Sequence, residues 1–471
     1  METKFTKGRL SEIQRETGIA VSEYWLNLLL GMNKHEVGVV KASGKLLEGE
    51  ELAAIVRNYQ TLDNKLGITL PLIIGGGPQY DELPSYRSSR KVNGIRVTYE
   101  QLLSEMVPVA QKNLENVVES LNCGGVEARA MPFGVLRIRP HGIEIDSKTG
   151  ESIDTGYVGD VLYVDTAPII TSLHNSIIPV ISHIGMDHDG QEYNVNATPA
   201  AAQVVKWLQA YKLMLLGDRA VEDNNGYTIS EIKSEADLHQ LITEGIIKDG
   251  MALNTQSAYE LLKQIGPGRS VQITTPSDLL AELLTDGVGT IMRMPYIIQS
   301  YDQPEHLGEN GKLELTDIFN SAFLERGLAL VTDYWEESTL AEHPINRIYI
   351  EAQEWSGGMV VRQFDNMGYA CKIATKPDYR GNGFATQAIE RAVLDYGGLI
   401  WRTGLNENNP SIDFYDKAIH KFKNNGIANP GMVTDSFEAN GYKVYVINAQ
   451  RDKVDVLVGT AAKLPNTMQS V

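Results

Sequence analysis

Two glycine-rich turns in this chain carry residue types and a spacing from which chemistry could be built. In one, an apolar run ending at Pro377 leads into Arg380-Gly381-Asn382-Gly383, and a helical pattern opens at Phe384 or Ala385. In the other, Leu72-Ile73-Ile74 runs into Gly75-Gly76-Gly77 and a further helical stretch. A helix N-terminus leaves backbone N–H groups unpaired and carries partial positive charge, and small residues let an anion approach them closely. Each turn is therefore either a cradle for phosphate groups or a plain strand–turn–helix connection in which glycine supplies positive φ. Local donors matter here because the chain is acidic, with 42 Lys and Arg against 60 Asp and Glu, a net −18. That balance repels nucleic acid and anionic membranes at long range, so neither is expected as a partner.

The elements that must position these turns read as α/β. After a roughly helical stretch at 9–34, apolar strand-like runs near 36–41, 71–74, 177–181 and 212–216 alternate with longer amphipathic stretches. Such alternation predicts a mostly parallel sheet with helices on both faces. The polar stretch 294–312, punctuated by Pro and Gly, reads as a linker. Beyond it the pattern resets: a helix near 314–327, strands near 346–352, 358–364 and 369–376, a helix at 384–396 and a strand at 398–402. At 471 residues, two or three domains are expected. The two cysteines, Cys123 and Cys371, stand far apart and outside any metal-ligand spacing, so reduced thiols and no metal are expected. No run of 18 apolar residues and no secretory pattern at the start is visible, which predicts a cytoplasmic protein.

The turn at 380–385 resembles the Arg/Gln-x-x-Gly-x-Gly/Ala signature of GCN5-related N-acetyltransferases, with Arg380, Gly383 and Ala385 on the matching positions. The segment 399–415, with Trp401-Arg402, Asn409-Pro410 and Phe414-Tyr415, is similar to that of N-acetylglutamate synthases, as is Tyr369-Ala370-Cys371-Lys372-Ile373. The resemblance implies transfer of the acetyl group of acetyl-CoA to the amino group of L-glutamate, a step of arginine biosynthesis. It places Ile373, Ala374, Arg380, Gly381, Asn382, Gly383, Phe384 and Ala385 on CoA. Tyr415 is implied as the proton donor to the leaving thiolate, the other reading being an aromatic strand anchor. Lys372 and Arg402 are implied to hold the acceptor's carboxylates, as point charge and fork, and Asn409 to hydrogen-bond the amino acid. Lys372 reads equally as a surface lysine, whereas Arg402, inside an apolar run, needs a partner. One departure stands out: the family's second arginine is Gly404 here, which leaves another amino-acid acceptor or acyl donor as an alternative.

The N-terminal motifs resemble the amino-acid kinase family, in particular N-acetylglutamate kinase. They run in order from Val39-Val40-Lys41-Ala42-Ser43-Gly44 and Asn93-Gly94-Ile95-Arg96-Val97-Thr98 through Gly156-Tyr157-Val158-Gly159-Asp160 to Asn194-Val195-Asn196-Ala197 and 212–218. Where active kinases carry an aspartate and a second lysine, this chain has Thr198 and Asn254. Negligible phosphoryl transfer is therefore expected, with a bifunctional synthase/kinase as the alternative. Residues 270–291 resemble the arginine-responsive segment of the synthases, implying L-arginine as effector near Glu282, Gly287 and Gly289. Glu282 reads otherwise as a solvated helix carboxylate. The expected fold is an amino-acid-kinase-like three-layer αβα sandwich followed by a GNAT-type mixed α/β domain. Its expected parts are an N-terminal helical segment (1–35), a kinase-like domain (36–293), a linker (294–312), an acetyltransferase domain (313–455) and a tail (456–471). The resemblance also implies a homodimer or homotetramer.

Overall fold

The computed structural model describes residues 14, 15, 19, 33–266, 269–285, 288–294, 296–336, 343–352, 355–379, 383–405, 409, 411–424 and 427–470. Most of the helical segment expected at 1–35 lies outside them. The chain divides into two compact units, Met1–Met294 and Pro295–Val471. No helix among the described residues is long and apolar enough to cross a membrane.

The first unit is built on an eight-stranded sheet. Its strands are β1 (Gly38–Ala42), β2 (Leu72–Ile74), β3 (Ala128–Ala130), β4 (Ile178–Ser182), β5 (Lys212–Leu216), β6 (Glu231–Ile232), β7 (Ser270–Thr274) and β8 (Thr290–Arg293), in the order β6-β8-β7-β5-β1-β2-β4-β3. All neighbours are parallel except β7 and β8. Successive strand residues point to opposite faces, and the two cores divide accordingly. Val39, Ile73, Ile181, Leu213 and Val271 pack with the helices Ala197–Leu208 and Asp249–Ile265. Val40, Leu72, Ile74, Val180 and Met214 pack instead with Gly49–Gln60, Glu100–Cys123 and Leu279–Thr285. This is the three-layer sandwich the alternating pattern predicts.

The second unit holds a seven-stranded sheet whose strands are β9 (Ile298–Tyr301), β11 (Ile345–Glu351), β12 (Gly357–Phe364), β13 (Met367–Thr375), β14 (Leu399–Gly404), β15 (Val433–Ala439) and β16 (Tyr442–Ala449). Their order is β9-β11-β12-β13-β14-β16-β15. A separate two-stranded ladder joins β10 (Leu328–Leu330) to β17 (Met468–Ser470). Four helices complete the unit: α1 (Gly308–Phe323), α2 (Phe384–Tyr396), α3 (Ser411–Asn424) and α4 (Val454–Ala461). α2 and α3 cover one face over Tyr349, Met359, Val361, Ala370, Leu399 and Trp401. α1 and α4 cover the other, over Ile348, Val360, Tyr369, Ile400 and Val444.

Two boundaries differ from expectation. The stretch 294–312 is no linker: Ile298–Tyr301 is an edge strand antiparallel to β11, and α1 begins at Gly308. Nor is 456–471 a tail, since it completes α4 and supplies β17. In both places the residues bury against partners distant in sequence, which local composition does not report.

Gly357, at the start of β12, is fixed by packing. A Cβ there would lie 2.4 Å from the ring of Phe384, the buried first residue of α2. Gly357→Ala is expected to destabilise the second unit by about 1–3 kcal/mol, as overpacking does, read as an earlier denaturant midpoint.

Candidate active site

β13 and β14 are the one parallel pair in the second sheet, and their ladder consists of Gly368↔Leu399 and Tyr369↔Ile400. β13 then runs on to Thr375 and β14 to Gly404 with no further pairing between them, while β14 stays bonded to β16 throughout. The strands therefore part. The facing edges, 370–375 and 401–404, carry backbone groups that an extended amide-bearing ligand can pair with. Ile373 and Ala374, both expected on CoA, lie on this edge, half-buried and buried respectively.

α2 opens beyond the end of β13. Gly383 caps it with φ 89°, ψ 0°, a left-handed conformation that suits glycine. Phe384 is buried against Tyr296, with ring centroids 6.1 Å apart, and Ala385 is half-buried. Arg380, Gly381 and Asn382 lie outside the described residues.

Lys372 and Arg402 stand on the α1/α4 face. β12 and β13 slip register between Val360 and Val361, so Tyr369 opposes Arg362 while Lys372 opposes Val360. The Lys372 amine is buried; it donates to the Thr467 hydroxyl and, at 3.3 Å, to the Cys371 carbonyl. Burial lowers its pKa to about 8, a shift that Cys371 opposes and that Arg402 and Arg362 reinforce. Arg402 donates to the carbonyls of Ala461 (2.8 Å), Leu464 (2.6 Å) and Pro465 (3.1 Å) and lies 4.1 Å from the Tyr442 ring centroid. It thus has the partner its place in an apolar strand demanded, and that partner is backbone beyond α4.

Asn409 is buried and works on its own chain. Its amide donates to Thr403 Oγ1 (2.8 Å) and the Gly404 carbonyl (2.6 Å), and its Oδ1 accepts from the Ser411 N–H (3.2 Å) at the start of α3. It caps that helix and fixes the loop after β14. Tyr415, on α3, is half-buried among Trp401 (5.5 Å between centroids), Phe414 (5.1 Å) and Tyr445 (5.3 Å). It stands on the opposite face from Lys372 and Arg402, with the strand gap between.

Three residues that the sequence did not single out lie beside Lys372. Tyr334 lies 3.2 Å from the Cys371 sulfur, and its phenol is pushed well above the tyrosine range by burial and by Cys371. The Arg362 guanidinium and the Lys372 amine sit 5.7 and 5.8 Å from the Tyr334 ring centroid. Thr467 closes the group. An arginine in mid-strand between Val361 and Gln363 was the one signal that could have been read.

In the first unit the two glycine loops abut. A Cβ on Gly44 would lie 2.1 Å from the Gly77 nitrogen, and one on Gly77 2.3 Å from the Gly44 carbonyl carbon. Lys41 is lowered to about 8 by burial and by Lys45, and Lys45 pairs with Asp218. The Tyr80 hydroxyl meets His183 Nε2 at 3.0 Å, and burial with the Lys41 charge holds His183 at about 4, hence neutral. Thr198 lies in the first turn of Ala197–Leu208 and Asn254 is exposed on Asp249–Ile265. Glu282 is fully buried, which corrects its reading as a solvated carboxylate: burial comes with two backbone donors, Val288 N–H at 2.9 Å and Gly289 N–H at 2.7 Å. Gly287 lies outside the described residues. Among the described residues the group with metal-ligand character is Asp187, His188 and Asp189, where His188 and Asp189 are exposed and Asp187 caps its own turn.

Residues 36–274 match the amino acid kinase family. The chain belongs to that family. Downstream of this amino acid kinase part, residues 312–420 match the acetyltransferase (GNAT) family. Among relatives, the acetylglutamate kinase of Xylella fastidiosa (strain 9a5c) is 28% identical over 405 residues, 84% of this chain and 89% of its own. That of Pelobacter propionicus is 33% identical over 264 residues, 54% of this chain and 90% of its own. The solved N-acetylglutamate synthase from Neisseria gonorrhoeae shares the fold of this amino acid kinase–acetyltransferase chain. Complexed with coenzyme A and N-acetyl-glutamate it superposes with a TM-score of 0.57 at 19% identity, covering 91% of this chain and 98% of the other. Complexed with coenzyme A and L-arginine it gives 0.52 at 21% identity, covering 94% and 99%.

The Lys372 shift has a definite sign. Between the folded value of about 8 and the ordinary 10.5 the folded state binds fewer protons than the unfolded one, so stability contributed by this group rises with pH across that window. Lys372→Met is expected to be more stable than the parent at pH 7, with the difference narrowing as the pH is raised from 8 to 10.5. Chemical unfolding at a series of pH values reads this; a difference that does not change across the window would contradict it.

Proposed function

We propose that this chain is an N-acetylglutamate synthase, transferring the acetyl group of acetyl-CoA to the α-amine of L-glutamate, with L-arginine as its effector. The observation that carries the reading is the parting of β13 and β14 beside Lys372 and Arg402. A thioester arm laid along the freed edge at Ile373 and Ala374 has cations on one side of the sheet and the Tyr415 phenol on the other. The diphosphate is assigned to the turn at 380–383 and the opening of α2 at Phe384 and Ala385, where backbone donors can meet it. The ligands of the Neisseria gonorrhoeae synthase, coenzyme A with N-acetyl-glutamate or L-arginine, support the same reading.

The chemistry follows from placement. The amine, held as the free base, attacks the thioester carbonyl; a C–N bond forms and the C–S bond breaks. The nitrogen gives up a proton to solvent while Tyr415 protonates the leaving thiolate and is replenished in turn. No covalent enzyme intermediate is required. Asn409 contributes by fixing the loop between β14 and α3, which sets the position of Tyr415.

The kinase part keeps the frame of its family. Lys41 has no aspartate at position 198 to organise it, and the two glycine loops lie against each other where phosphates would need room. Its role is arginine binding near Glu282 and Gly289, where two N–H groups already orient the carboxylate. Assembly into dimers or tetramers and a cytoplasmic location complete the proposal.

With purified protein, CoA release from acetyl-CoA is expected to depend on L-glutamate and to change on adding L-arginine. Tyr415→Phe should lower kcat by about 100-fold or more, as loss of a general acid does, with little change in the KM for glutamate. Nucleotide-dependent phosphorylation of N-acetylglutamate at a rate comparable with acetyl transfer would favour the bifunctional reading, which the naming of the Xylella relative keeps in view. Release with another amino acid alone would keep the acetyltransferase and discard glutamate.

A further inference from the structure

Arg362, Lys372 and Arg402 occupy three neighbouring strands, β12, β13 and β14, on one face of the sheet. Arg362 is 3% exposed and Lys372 7%. Among the described residues no carboxylate pairs with any of the three. Arg362 donates from Nη1 to the His343 carbonyl at 3.1 Å, while its Nε and Nη2 are buried without a hydrogen-bond partner. Lys372 and Arg402 are met by neutral oxygens alone: the Cys371 carbonyl, the Thr467 hydroxyl and the carbonyls of Ala461, Leu464 and Pro465. Two buried cations and a half-buried third without an anion are electrostatically incomplete.

Most of those neutral oxygens come from one short piece of chain. It is secured by the three-residue ladder between β10 and β17 and by the Val331 N–H on the Thr467 carbonyl, 3.2 Å. A ladder of that length opens at low free-energy cost. Carboxylates offered in exchange bring the opposite charge and can take a guanidinium fork through two parallel bonds, which separate carbonyls do not.

We propose that residues 462–470 form a displaceable cap over a three-cation site for a dicarboxylate acceptor, with Arg362 supplying the clamp for which Gly404 has no side chain. The Leu464 and Pro465 carbonyls and the Thr467 hydroxyl hold the places that carboxylate oxygens take when the cap lifts. The proposal deepens the acetyl-transfer reading and rests on it.

Two variants of the full chain test it. Ala329 and Gln469 are register partners across β10 and β17, so Ala329→Cys with Gln469→Cys can lock the cap by oxidation. Reduced, this variant is expected to turn over like the parent. Oxidised, it should lose glutamate-dependent CoA release by about tenfold or more, the scale of one charge-assisted contact, and recover with reductant. Oxidant-treated parent enzyme is the control. Arg362→Gln should raise the KM for glutamate about 10–100-fold while leaving the KM for acetyl-CoA unchanged, and Arg362→Lys should recover part of the loss. A locked enzyme with unchanged glutamate kinetics overturns the cap, and an Arg362→Gln enzyme with the parent's KM for glutamate overturns the clamp. Turnover of a monocarboxylic amino acid alone keeps the acetyltransferase and removes the dicarboxylate site. No CoA release with any acceptor removes both.

Discussion

Two parallel strands that pair over two residues and then separate leave backbone donors and acceptors in the middle of a sheet, and those groups need partners. The second unit is arranged around that requirement. β14 is held from its far side by β16 over its whole length, and β13 by β12, so the gap stays open without costing the sheet its stability. The loop beyond β14 is tied down by Asn409 through its amide and its Oδ1. Aromatic packing of Trp401, Tyr415 and Tyr445 fixes α3 on one side, and the tight contact of Gly357 with Phe384 sets the start of α2. Lys372 and Arg402 consequently stand on one face of the opening and Tyr415 on the other.

The first unit keeps the frame of its family. Its sheet, two cores and glycine loops remain, and Lys41 keeps its place at the end of β1. What organises charge around that lysine is different: Lys45 stands beside it and pairs with Asp218, His183 is neutral, and no aspartate occupies position 198. The buried carboxylate of Glu282 spends its hydrogen bonds on joining a helix to the strand after it.

Much of this was legible in the sequence, and what was not has a common cause. The alternating apolar runs of the first unit and the strands and α2 of the second follow from local periodicity. Lys372, Arg402, Tyr415, Ile373 and Ala374 all lie at the strand gap. Their partners are another matter. Arg402 bonds to carbonyls some sixty positions further along, Lys372 to Thr467, and Glu282 to two backbone N–H groups; backbone atoms have no signature in composition. Ile298–Tyr301 looked like linker because an edge strand is short and partly exposed, and β17 looked like tail because its pairing partner lies in β10. Asn409 read as a substrate contact; among the described residues its hydrogen bonds run to Thr403, Gly404 and Ser411.

The register slip at Cys371 changes the phase of β13. A regular strand assigns its residues to alternate faces, and every position is committed once the first is known. The extra residue resets that count: Tyr369 and Lys372, an odd interval apart, share a face, and everything from Lys372 to Thr375 is read in the opposite phase to Met367–Ala370. Taking Cys371 into the ladder as an ordinary paired residue would leave the fold's hydrophobic content almost untouched yet turn Lys372 toward the aromatic face and Ile373 away from it. Which face of the sheet carries the Lys372 cation thus depends on a single residue held out of the ladder.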